Sequence, residues 1–323
     1  MDLPLMEDAA EFLAKDIPAP AVLAEGLIHS GTKMALGGAS KAMKTWTQLL
    51  LALSVSHGLK FFGRRTTKSK VLFVNLEIPQ HFCQRRVEAI AKALHIKVEK
   101  GQFLIWNLRG KAASHKILIP EIRKRIGNDF GLIIIDPIYK AYGENLDENS
   151  AGDVADLLNS IEDLAVTSGA AVSISAHYSK GNQSGKESID RISGSGVFAR
   201  DPDTLLTFTK HEEDDCFTVE PTLRNFPPAE PFVVRWHHPL MIVDDFLDPS
   251  KLKRKGKGPE RKFPLESIVK LLEGGVPLTV SEMADELKCN RRTLYSGVVP
   301  QMKDDPRFER YGENRWKLKH IPF

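Results

Sequence analysis

"GGASKAMKTW", residues 37 to 46, joins an apolar run, "KMAL" (33–36), to a longer one, "TQLLLALSV" (47–55). From Gly38 it follows the phosphate-loop pattern G-x-x-x-x-G-K-[ST], in which backbone N–H groups surround phosphate oxygens, the lysine neutralises them and the hydroxyl holds Mg²⁺. One position departs from the pattern: Met43 stands where the second glycine belongs. A glycine takes a left-handed backbone without steric cost, and methionine does not. The surroundings still suit the chemistry, because a strand running into a loop with a helix starting at the lysine points the positive end of that helix at the phosphates. Lys44 would then reach the β- and γ-phosphates and Thr45 would ligate Mg²⁺, while Gly37, Gly38, Ala39 and Ser40 are small enough for close backbone approach. The nucleotide contact becomes Gly38, Ala39, Ser40, Lys41, Ala42, Met43, Lys44, Thr45 and Trp46, and the ligands ATP and Mg²⁺. The competing reading is a chance G…K-T string in a loop.

Outward from the loop, short apolar runs alternate with helical patterns. "TWTQLLLALSVSHG" reads as a helix closed by Gly58, followed by strands "KVLFVNLE", "GQFLIWNL", "FGLIIIDP" and "AAVSISAH" with helices between them. Continuous apolar strands separated by helices predict an α/β domain with a mainly parallel sheet covered on both faces. "TLLTFTKH", "CFTVEPTLRNF" and "PFVVRWHH" extend the sheet at one edge. The expected layout is an N-terminal extension (1–30), this α/β domain (31–247), a basic linker (248–263) rich in lysine, glycine and proline, and a C-terminal module (264–323). That module shows three short helical patterns and a hairpin around Gly312, which is a winged-helix pattern.

The bulk numbers exclude several classes. With 323 residues, 42% of them hydrophobic, the chain has enough material for a large core, and 45 basic against 42 acidic side chains leave a net charge of only +3. Any basic surface must therefore be local. Three widely spaced cysteines argue against a disulfide framework and fit a reducing cytoplasm. No apolar run approaches the roughly 20 residues of a membrane span, and the acidic, proline-containing N-terminus is unlike a signal peptide.

Two more strand ends carry carboxylates. "GLIIIDP" ends in Asp136, which would hold Mg²⁺ opposite the Thr45 hydroxyl or else cap a helix. "VLFVNLEIP" ends in Glu77, placed to take a proton from an attacking water or, alternatively, to stand exposed at a strand end. With "LGGASKAMKTW", "FVNLEIP", "IIIDPIYK", "SAHYSKGN" and "DRISGSGVFARDPDTLLTF" in this order, the chain from about Pro18 to Val243 resembles the RecA-like ATPases of the RepA type, the hexameric replicative helicases of plasmids and phages. More distantly it resembles the DnaB and KaiC-type ATPases. The resemblance implies a RecA-like P-loop core, Glu77 as catalytic base, Asp136 as the Mg²⁺ aspartate and His177 as the residue that senses the γ-phosphate. It also implies an arginine supplied by a neighbouring subunit, with Arg224 first and Arg200 and Arg191 as rivals, each of which also suits a surface ion pair.

The glycine- and serine-rich stretch after His177 carries Lys180, Lys186 and Arg191, and reads either as a grip on a nucleic-acid backbone or as a surface loop. In the C-terminal module the first helix of "TVSEMADELKCNRRTLYS" is expected to start at a Ser281 cap. The second would begin near Asn290, presenting Arg291 and Arg292 to a DNA major groove with Arg315 and Lys317 on the wing; protein docking is the other use of such modules. The expected whole is a ring-forming ATPase, a hexamer, acting on DNA as a replicative helicase, with a nucleotide-regulated DNA-binding adaptor as the alternative.

Overall fold

The computed structural model describes residues 5–111, 113–143, 150–177, 197–253, 264–312 and 314–319. The chain forms two compact units, Met1–Arg254 and Lys255–Phe323. Lys180, Lys186 and Arg191 lie outside the described residues, as do residues 254–263 of the expected linker.

In chain order the first unit contains α1 (Ala9–Leu13), β1 (Val22–Ala24), β2 (Ile28–His29), β3 (Lys33–Gly38), α2 (Lys44–His57), β4 (Lys70–Asn75), α3 (Gln80–Ala93), β5 (Phe103–Asn107) and α4 (His115–Ile126). It continues with β6 (Phe130–Asp136), a 3₁₀ turn (Ile138–Ala141), α5 (Ala151–Ser168), β7 (Ala171–His177), α6 (Val197–Arg200), β8 (Thr204–Lys210), β9 (Cys216–Leu223), β10 (Phe232–His237) and β11 (Leu240–Val243). A 9-stranded sheet runs in the order β11-β10-β9-β8-β3-β7-β6-β4-β5. Neighbours from β8 to β5 are parallel, and those from β8 to β11 antiparallel.

The continuous apolar strands are buried on both faces. Along β6, Leu132 and Ile134 join one core with Leu49, Leu51, Leu53 and Phe73, whereas Ile133 and Ile135 join the other with Ile122, Leu157 and Ile161. Helix α2 is buried at nearly every position from Thr47 to Ser56, which explains an apolar run without a polar face, and Gly58 closes it at φ 68° with its N–H directed at Ser54 and Val55 carbonyls.

Three expectations on layout are corrected. Leu23, Ala24, Leu27 and Ile28 pack in the core, so only residues 5–21 of the expected 1–30 extension lie outside it. The short β11 adds a strand that the sequence pattern did not signal. Residues 248–253, expected in the linker, are held against β8 and the turn after it by the His211–Leu252 bridge and the Lys253 N–H to Lys210 carbonyl bond.

The second unit contains α7 (Leu265–Leu272), β12 (Leu278–Thr279), α8 (Val280–Glu286), α9 (Arg291–Gly297), α10 (Val299–Asp304), β13 (Phe308–Tyr311) and β14 (Arg315–Leu318), with the strands ordered β12-β14-β13. Its core gathers Ile268, Leu272, Met283, Leu294, Met302, Phe308 and Trp316. Thr279, not Ser281, caps α8, in a capping box with Glu282. The third helical pattern breaks at Val298 into α9 and α10.

Candidate nucleotide site

Parallel strands put their carboxyl ends on one edge, where ligand sites of open α/β sheets form. Gly38 of β3 pairs with His177 of β7, and Asn75 of β4 pairs with Asp136 of β6, so the two expected acids, the loop and His177 share that edge. Gly38 is required by packing: a Cβ there would lie 3.1 Å from the Ala42 Cβ and 3.3 Å from the Phe208 Cβ. Met43 takes up the left-handed backbone of the missing glycine, with φ 56° and ψ 21°, and its side chain packs against the core. The loop thus keeps its path at the expense of local strain, which is about 1–2 kcal/mol for such a residue.

Lys44 begins α2 and is only 7% exposed. Its ammonium donates to the Gly38 carbonyl at 2.8 Å and the Ala39 carbonyl at 3.0 Å, and lies 3.4 Å from His177 Nδ1. Burial lowers its pKa to about 8, against the opposing pull of Asp136 and Glu77. Asp136 is 2% exposed; burial pushes its carboxyl up, while hydroxyls of Ser175 and Thr45 donate to it and Lys44 pulls it back down. Behind Ser175 the polar chain continues: Gln48 donates to the Ser175 hydroxyl at 3.3 Å and accepts from Ser173 at 2.9 Å. The site therefore offers a hydroxyl and a carboxylate already turned toward each other, oxygen donors of the kind Mg²⁺ takes alongside water and phosphate.

Glu77 stands exposed just beyond β4. The turn that carries it is clamped by Asn75, whose side-chain oxygen accepts from the Ile78 N–H at 2.9 Å and whose amide donates to the Ile78 carbonyl and the Asn107 side chain, both at 2.8 Å. The Tyr139 hydroxyl donates to Glu77 at 2.9 Å, and burial together with that bond pushes the phenol up to about 12. The Tyr139 ring lies 5.5 Å from that of His177, whose pKa burial and Lys44 both lower. Asn75, Tyr139, Gln48 and Ser175 escaped the sequence reading. Tyr139 had one signal, its place three residues after Asp136 in "DPIYK".

Trp46 follows Thr45, but its indole packs sideways, 5.2 Å from the Trp236 ring and 5.4 Å from that of His238. Arg224 and Arg200 are not brought to this edge. Leu223 pairs with Thr204 and Thr204 with Met34, so both arginines sit near the amino end of β3, roughly 13 Å along the strand from Gly38. There an Arg224 nitrogen donates to the Arg200 carbonyl.

In the second unit Arg291 and Arg292 are exposed at the start of α9, with Arg291 5.2 Å over the Tyr295 ring. Arg315 and Lys317, expected to be open on the wing, are engaged: Arg315 with Glu282 and the Pro277 carbonyl, Lys317 with Glu309.

A buried lysine at a helix start, a facing hydroxyl and carboxylate, and a second acid on the next strand end define a P-loop nucleotide-binding fold. A family model described as AAA domain matches residues 2–183, over half of the chain, and the chain belongs to that family, within the RecA-like P-loop ATPases. Among solved structures it is similar to the ATPase domain of a helicase, with TM-score 0.51 and 12% identity over 66% of this chain and 85% of that one. It is also similar to a KaiC-like protein, PH0186 from Pyrococcus horikoshii OT3, with TM-score 0.50 and 15% identity over 69% and 93%. Comparison with curated proteins finds no match. Among the described residues no helix is long and apolar enough to cross a membrane.

Proposed function

We propose that the protein is an ATP-hydrolysing, Mg²⁺-dependent motor that assembles into a ring, a hexamer by its resemblance, and acts on DNA as a replicative helicase of the RepA type. The observation that carries the reading is the meeting of Lys44, Thr45, Asp136, Glu77 and His177 at one sheet edge, with Arg224 and Arg200 at the other. An arginine so far from its own phosphate loop serves only the site of an adjacent copy. Lys44 would bind the β- and γ-phosphates, and Thr45 and Asp136 would hold Mg²⁺, which supplies charge neutralisation when bound. Glu77, kept in place by Tyr139, would accept the proton of the attacking water. His177, touching Lys44 on one side and Tyr139 on the other, would report the terminal phosphate to the chain that follows it.

The C-terminal unit is read as a winged helix, with Arg291 and Arg292 toward DNA. The test is hydrolysis and strand displacement by wild type and Glu77→Gln. The variant should bind ATP and lose about 10²–10⁴-fold in turnover. Unchanged hydrolysis removes Glu77 as base. DNA-stimulated hydrolysis without displacement replaces the helicase by the regulatory adaptor, and a species that stays monomeric with ATP and DNA rules out a shared site.

A further inference from the structure

Arg86 belongs to no motif, yet it borders the site. It lies on α3, the helix that follows Glu77, with its guanidinium carbon 4.9 Å from the centroid of the Trp46 ring. Trp46 comes directly after Thr45, so the cation sits at the rim of the phosphate loop. It is partly buried, which pushes its pKa down, and Asp136, Cys83 and Glu77 are the groups whose charge opposes that shift. Among the described residues no ion pair or hydrogen bond holds it. Other arginines of this unit, such as Arg65, Arg123 and Arg235, close directly on carboxylates.

Withdrawing a cation from water without a contacting anion is unfavourable unless some partner completes the arrangement. The site's own balance indicates which partner. Lys44 faces two carboxylates, Asp136 and Glu77, and a triphosphate brings more negative charge than one divalent ion and one ammonium offset. A guanidinium matches phosphate oxygens two at a time, and stacking on an indole holds its plane before the anion arrives.

We propose that Arg86 is a phosphate-contacting residue of its own subunit's site, pairing with the terminal phosphate of a bound nucleoside triphosphate. The inference rests on the nucleotide reading above and adds to it a cation from the same chain, distinct from the arginine of a neighbour. It makes triphosphate preferred over diphosphate before any hydrolysis.

The test is displacement of a fluorescent ADP analogue from the full chain, with Mg²⁺, by ADP and by a non-hydrolysable ATP analogue. Wild type, Arg86→Gln, Arg86→Lys and Lys44→Ala are compared, with a thermal melt for each. Arg86→Gln should weaken the ATP analogue about tenfold or more relative to ADP, and Arg86→Lys, which keeps charge but not the fork, should fall between. An unchanged ratio of the two affinities in both variants overturns the proposal. So does a fall in both affinities together with the melting midpoint, which marks a structural role. If wild type binds neither nucleotide better than Lys44→Ala, the nucleotide reading itself fails and Arg86 falls with it.

Discussion

Two lysines stand at opposite ends of the same strand-and-loop segment and are equally hidden, Lys33 at 5% and Lys44 at 7% exposure. Lys33 closes on the carboxylates of Glu162 and Asp201, while its backbone N–H donates to Asp203. Lys44 is held only by loop carbonyls and approached by a histidine, with Asp136 and Glu77 nearby as uncontacted charges. The difference teaches that burial alone does not mark a functional lysine. An ammonium saturated by carboxylates is a structural tie, whereas one held by neutral oxygens still has charge to give to an anion.

The sharpest way to break this comparison is to remove each ammonium. Lys44→Ala should weaken nucleotide binding about 100-fold or more, by loss of the charge-assisted contacts, and leave the melting midpoint at or above wild type because a desolvated charge is gone. Lys33→Ala should leave nucleotide affinity nearly unchanged and lower stability by about 2 kcal/mol, less than a fully buried pair because its partners are partly in water. Displacement titrations and thermal melts read both. A swap of the two phenotypes would reverse the assignment.

Next in size is the polar chain behind Asp136. Gln48→Leu strands the hydroxyls of Ser173 and Ser175, so stability should fall by about 1–3 kcal/mol. The Mg²⁺ concentration for half-maximal hydrolysis should rise severalfold as Asp136 loses its orientation. An unaltered Mg²⁺ dependence would reduce Gln48 to a packing residue.

The pH dependence sharpens the same contrast. The folded pKa of Lys44 lies near 8, below its usual 10.5, so between these values the unfolded chain holds more protons and this group makes stability rise with pH. Over the same window nucleotide affinity should fall as the free protein's ammonium is lost. Lys44→Met should erase both trends, as seen by subtracting its pH profile from that of wild type. The smallest effect belongs to Met43→Gly: relief of the left-handed backbone and loss of the side-chain packing nearly offset, for a net change within about 1 kcal/mol.

Much of the arrangement was legible because it is written in local runs. "KMALGG" before a lysine, and apolar strands ending in Glu77, Asp136 and His177, give position and chemistry together, since parallel strands bring their ends to one edge. Tyr139 was hidden because its bond to Glu77 spans two strands, and the Asn75–Asn107 bond depends on which strand neighbours β4. Trp46 was assigned to the nucleotide from its place after Thr45, but the hairpin of β10 and β11, remote in sequence, claims its ring. Arg86 carries no local signature, since a helix full of charged residues looks like any solvated face until α2 lies beside it.

The six residues of β3 have one further consequence. Asp203 grips the first of them through the Lys33 N–H and carries Arg224 and Asn225 on its carbonyl and carboxylate, while the last of them, Gly38, opens the phosphate loop. Laced on both sides by parallel neighbours, β3 behaves as a stiff rod between the two. A tug at either tip is transmitted to the other, so the arginine edge and the loop travel as one mechanical piece.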